Sequence, residues 1–128
     1  MRALVDELVD GVWVGEAMVA DSKVPCAFEF ALDGSYRVTN RGGDQRAFGL
    51  LFLSGPRTQV DGRYAITDLV EGKYYGYFER PLDDMGKQNL RSDLEQLVLD
   101  GDTLTFWWRS TYGDISPISV PLMLMRTR

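Results

Sequence analysis

Turn signals punctuate this chain at short, regular intervals. Asp33-Gly34, Arg41-Gly42-Gly43-Asp44, Ser54-Gly55-Pro56, Glu71-Gly72 and Asp100-Gly101-Asp102 are rich in residues that tolerate positive φ or end a strand. Between them the chain mostly alternates apolar and polar residues. No later segment reads as a helix long enough for the crossover that a parallel sheet needs. What remains is a string of antiparallel strands joined mainly by hairpins.

The first ten residues are the exception. Leu4, Val5, Leu8 and Val9 fall at the i, i+1, i+4, i+5 spacing of one helical face, and Gly11 suits the end of a helix over Arg2–Asp10. Two to three turns do not hold alone, so this helix must lie on an apolar surface. The period then changes to two. Val12–Ala20 places Trp13, Gly15, Ala17 and Val19 on one side. Val24–Leu32 places Cys26, Phe28, Phe30 and Leu32 on one face with Glu29 opposite, and Ser35–Asn40 turns Tyr36 and Val38 inward and Arg37 and Thr39 outward. Ala47–Leu53 is apolar on both faces, so periodicity does not fix its orientation. Arg63–Leu69 has Tyr64 and Ile66 on one face. Lys73–Arg80 is an aromatic strand in which Tyr75, Tyr77 and Glu79 share a face. Pro81–Asn89 reads as the longest polar loop. Leu90, Leu94, Leu97 and Val98 have helical spacing, but the Asp100-Gly101-Asp102 turn leads straight into Thr103–Arg109, which favours a hairpin. Leu104, Phe106 and Trp108 form the inner face of that strand. After a loop over Ser110–Pro117, Ile118–Arg126 closes the chain with Ile118, Val120, Leu122, Leu124 and Arg126 aligned.

The pattern predicts an all-β domain over residues 1–128, with roughly eight or nine short strands and one short N-terminal helix covering an end. An up-and-down antiparallel barrel is favoured over a sandwich, because closure removes the sheet edges.

Gly11-Val12-Trp13 after a short helix, together with Arg126 near the end of the last strand, resembles the lipocalin and calycin superfamily. The resemblance implies a lipocalin-like barrel in which Gly11 and Trp13 open the first strand, Trp13 plugs one end, and the Arg126 guanidinium stacks on its ring as a cation–π pair. Thr67-Asp68-Leu69 partly echoes a further motif of that superfamily. Gly42-Gly43-Asp44 followed by Phe48-Gly49 is similar to a small group of lipocalin-like regulators of type III secretion, although Ser54-Gly55-Pro56-Arg57-Thr58-Gln59 stands where those regulators carry an acidic loop.

Composition narrows the chemistry. Nineteen acidic against fourteen basic residues give a net charge of −5, and the basic residues form no run, which argues against nucleic acid as a partner. There is no histidine, so His-ligated metals and imidazole triads are excluded. The one cysteine, Cys26, has no partner for an internal disulfide and reads as a buried core thiol in a reducing, cytoplasmic setting. No apolar run approaches the length of a membrane helix, and Asp6, Glu7 and Asp10 interrupt any signal-peptide core. Asp83-Asp84 and Asp100-x-Asp102 read as turn chemistry rather than cation loops, and no cofactor or metal motif is present.

Three functional readings follow. Phe28, Phe30, Tyr36, Tyr64, Tyr75, Tyr77, Phe106 and Trp108 are placed to line a cavity for a small, largely apolar ligand, with tyrosine hydroxyls or Arg37 orienting its polar group. Such a barrel could instead be a cyclase, isomerase or decarboxylase, with Glu79 the best acid–base candidate if it is buried beside Tyr75 or Tyr77. In the third reading the barrel is packed solid and regulates or binds another protein. Trp107, Met123 and Met125 then face outward as an apolar patch for a partner, a second copy included, unless the N-terminal helix covers them.

Overall fold

The computed structural model describes residues 2–19, 21–52, 58–81, 89–110 and 118–128. After helix α1 (Arg2–Leu8) come strands β1 (Val12–Val19), β2 (Ser22–Phe30) and β3 (Ser35–Asn40), then helix α2 (Gln45–Phe52). Strands β4 (Gln59–Val70), β5 (Lys73–Pro81), β6 (Asn89–Asp100), β7 (Thr103–Ser110) and β8 (Ile118–Thr127) complete the chain. Each strand pairs antiparallel with the next, and β8 returns to β1 with Trp13 opposite Arg126, so the eight strands form a closed barrel. The termini, α1 and the β2–β3, β4–β5 and β6–β7 hairpins share one end, while α2 and the β1–β2 turn lie at the other.

Period-two alternation sets most of the interior. Trp13, Ala17 and Val19 of β1, Cys26, Phe28 and Phe30 of β2, and Tyr36 and Val38 of β3 are buried. So are Leu104, Phe106 and Trp108 of β7 and Val120, Leu122 and Leu124 of β8. β2 ends at Phe30, so Leu32 stands exposed at the hairpin rather than inside. The β2–β3 reversal is fixed by the Asp33 carboxylate, which accepts from the Ser35 amide at 2.9 Å and hydroxyl at 2.6 Å. These bonds favour its charged form and hold its carboxyl below the usual range.

Two stretches, the segment after Gly43 and β5, depart from the sequence reading, while β6 forms its expected hairpin with a bulge in it. The apolar segment after Gly43 is a helix, not a strand. Asp44 caps it, its Oδ1 accepting from the Arg46 amide at 2.7 Å, and its face of Ala47, Phe48, Leu51 and Phe52 turns into the barrel mouth. The Gly42-Gly43-Asp44 stretch is thus the entry to α2. In β6, Leu94 and Leu97 both point inward because the register shifts between Glu95 and Val98, with Gln96 at φ 54°. That bulge, not a helix, produces their three-residue spacing. In β5, Phe78 is buried, while Tyr75, Tyr77 and Glu79 are half-exposed on the outer side. Gly76 lets β4 pass close, since a Cβ there would run into the Ala65 carbonyl.

Candidate functional site

The α1 end is built from the Gly11-Val12-Trp13 stretch. Gly11 has φ +90°, and a Cβ on it would meet the Thr127 carbonyl at 2.7 Å and the Arg126 side chain at 3.0 Å. Glycine therefore allows β1 to begin directly against the end of β8. Trp13 is fully buried and its Nε1 donates to the Leu8 carbonyl at 2.9 Å, which fixes α1 across the barrel end. The Arg126 guanidinium lies 4.5 Å from the Trp13 ring centroid and its side chain is only 2% exposed. It also meets Glu7 at 2.9 Å, Asp10 at 3.2 Å and Asp102 at 3.5 Å. The expected stack of Arg126 on Trp13 is present, and it doubles as a tie between α1, β8 and the β6–β7 hairpin. Asp102 is engaged there with Arg126 and Arg128, and Asp83-Asp84 lie outside the described residues. Among the described residues, no group of three His, Cys, Asp or Glu side chains could hold a metal ion. No helix among them is long and apolar enough to cross a membrane.

The aromatic residues expected to line a cavity divide into two sets. Phe28, Phe30, Tyr36, Tyr64, Phe106 and Trp108 are buried inside the barrel. Tyr75, Tyr77 and Glu79 are on the outside, where the Arg91 guanidinium covers the Tyr77 ring at 3.8 Å and Glu79 sits between Arg63 and Arg91 in the register. The inner parity of β5 is Tyr74, Gly76 and Phe78, with Tyr74 packed against the core and Gly76 opposite the inward Leu94. Arg37 is also outside, paired with Asp61 at 2.8 Å, and cannot orient a ligand within the barrel. Of the inward tyrosines, Tyr64 spends its hydroxyl on the Ala31 carbonyl at 3.0 Å, and burial pushes the ionisation of both Tyr36 and Tyr64 upward.

The buried rings touch one another. Phe28 has Phe52, Phe78, Phe106 and Trp108 around it at centroid separations of 6.0, 6.1, 5.7 and 6.2 Å. Trp108 stacks on Phe78 at 4.3 Å, and Phe52, brought in by α2, meets the Trp108 ring edge-on at 4.8 Å. These contacts, with centroids 4.3 to 6.2 Å apart, set the protein's own rings against one another in the middle of the barrel. Cys26 is part of that packing, and burial pushes its thiol up to about 12. One polar feature escaped the sequence reading. Ser92 and Ser110 are buried with their hydroxyls 2.8 Å apart, and Trp108 Nε1 donates to Ser110 Oγ at 2.7 Å. Period-two parity was the signal that could have revealed them, since Ser92 falls in step with Leu90 and Leu94 and Ser110 with Phe106 and Trp108.

The outer face is different. Trp107 is 39% exposed, Met123 63% and Met125 50%. In the register Trp107 faces Pro121, Thr105 faces Met123, and Glu16 of β1 lies on the other side of Met123. Met18, also exposed, continues the row on β1. A groove of about 450 Å³ runs across this face, with Trp107, Pro121, Met123 and Val98 as apolar walls and Glu16 and Lys73 among its polar residues. α1 does not cover it, because Leu4 and Leu8 are buried at the barrel end under Trp13 and Arg126. No family model matches the chain, and no curated protein or solved structure is significantly similar to it.

Proposed function

We propose that the protein is a lipocalin-like barrel that works as a protein-interaction module, docking a partner through the outer face of β6, β7, β8 and β1. The observation that carries this reading is the pairing of a barrel centre occupied by its own rings with an exposed Trp–Pro–Met groove on the outside. Apolar side chains are normally withdrawn from water, and a contiguous exposed set rimmed by charge has the anatomy of an interface: an aromatic and methionine centre with a polar rim. The barrel then serves as a rigid support for that face. The acid–base reading loses its geometry, since Glu79, Tyr75 and Tyr77 are all on the outer side.

A second reading, binding of a small apolar molecule inside the barrel, draws support from the Ser92–Ser110 hydroxyl pair beside Trp108, which would be its polar anchor. It requires Phe52 to leave the place it holds between Phe28 and Trp108.

The test is a photo-reactive amino acid in place of Thr105, inside the groove, with Arg37 on β3 as the control position across the barrel. Irradiation in the native host should give protein adducts from position 105 and none from position 37. Absence of adducts at position 105, with a small molecule retained by the purified protein, would overturn the reading in favour of the second one.

A further inference from the structure

We infer that the partner on this face is a second copy of the same chain, docked about a two-fold axis parallel to β7. The inference rests on the interaction reading above and identifies its occupant. Around the barrel the face runs β5, β6, β7, β8, β1, so β7 is its middle strand, with Thr105 in line with Met123 and Glu16 and Trp107 two residues along it. The two ends of the groove carry opposite charge: Lys73 opens β5 on one side, and Glu16 projects from β1 on the other.

A two-fold contact demands a surface that is complementary to itself, residue i meeting j while j meets i. Rotation about an axis along the central strand exchanges the two ends of the face. Glu16 then meets the partner's Lys73, Lys73 meets the partner's Glu16, and the Trp107–Pro121–Met123 centre closes on itself. The other in-plane axis, across the strands, would bring each end onto its own copy and set like charges together. The charge arrangement therefore selects one orientation. It also fits a chain of net charge −5, whose two copies need local opposite pairs to approach closely. Met123 and Met18 suit such a contact, because flexible thioethers adapt to a self-packed seam.

The experiment is sedimentation velocity of the full chain over a concentration series, for wild type, W107E, E16K, K73E and the double variant E16K/K73E. All these changes are at exposed positions, and near-UV circular dichroism of each variant confirms its fold. The wild type should dimerise and W107E should not. E16K and K73E should each weaken the dimer by about tenfold or more, because each places two like-charged contacts in every dimer. The double variant should return to within about threefold of wild type, since its pairs are opposite again. A dimer whose single variants are not rescued by the double one would overturn the proposed orientation. A wild type that stays monomeric at its highest soluble concentration would overturn self-pairing. In that event, adducts of another protein at position 105 would keep the interaction reading, and absence of any adduct there would remove both.

Discussion

Replacing Phe52 with alanine tests whether α2 fills the barrel. Phe52 is buried, with ring contacts to Phe48 and Trp108 at 4.8 Å each and to Phe28 at 6.0 Å. Deleting a fully buried Phe ring costs about 3–5 kcal/mol, and the loss is larger where the surroundings cannot collapse. The Phe28, Phe78 and Trp108 rings are held by three different strands, so little collapse is available. Each close aromatic pair adds about 0.5–1.5 kcal/mol beyond area burial, which places the loss near 4 kcal/mol. Urea unfolding followed by circular dichroism should show a lower midpoint with an unchanged slope. The void beside Trp108 is apolar on most sides. Benzene or toluene should enter it and restore part of the lost stability, rising with ligand concentration. Leu32→Ala, at an exposed position, should stay within about 0.5 kcal/mol of wild type. A Phe52→Ala cost below about 1 kcal/mol would refute the reasoning, because α2 would then not be packed into the mouth.

Other outcomes follow from single contacts. Arg126→Met should cost about 2 kcal/mol, the scale of a desolvated cation–π contact, and Arg126→Lys about half of that, because an ammonium keeps the charge without the flat stack on Trp13. The carboxylates of Glu7, Asp10 and Asp102 are more than half exposed and rehydrate in either variant, so thermal melts should show little salt dependence of the loss. Cys26 should resist a disulfide reagent at neutral pH until urea unfolds the chain, its thiol being pushed up to about 12 from 9.0 by burial. The unfolded chain loses that proton near pH 9.0 and the fold keeps it to about 12, so stability falls as pH rises through this window. At about 1.4 kcal/mol per pKa unit the fall reaches ~4 kcal/mol, and Cys26→Ala should flatten that part of a urea-midpoint series taken from neutral to alkaline pH. Iodide should quench only the Trp107 share of the tryptophan emission at low protein concentration, and Trp107→Phe should abolish the quenchable share, since Trp13 and Trp108 are buried.

Much of the barrel was legible because one face of most strands is apolar and the other is not. β7 and β8 show it plainly, with Leu104, Phe106 and Trp108 set against Thr105, Trp107 and Arg109, and with Val120, Leu122 and Leu124 against Ser119 and Met123. The same parity placed Trp107, Met123 and Met125 on the outside, as they are. Where both faces are apolar, period-two contrast vanishes. That hid the direction of β5, whose Tyr74, Tyr75, Tyr77 and Phe78 look alike by hydrophobicity, although only Tyr74 and Phe78 face the core. It also hid α2. Its signal was present in a different form: Asp44 two residues before Arg46 as a cap, then Ala47, Phe48, Leu51 and Phe52 at the same spacing that marks α1. The β6 bulge left one trace, the three-residue spacing of Leu94 and Leu97, which a helix would give as well, so the spacing alone did not distinguish the two.

Native mass spectrometry of the freshly purified chain bears most directly on the central claim, that the barrel is filled from within and its outer face is the working surface. The account predicts a complex of two chains carrying no additional small-molecule mass, with W107E appearing as a single chain. A single wild-type chain that holds an extra mass, lost on denaturation, would contradict it and return the function to the barrel interior.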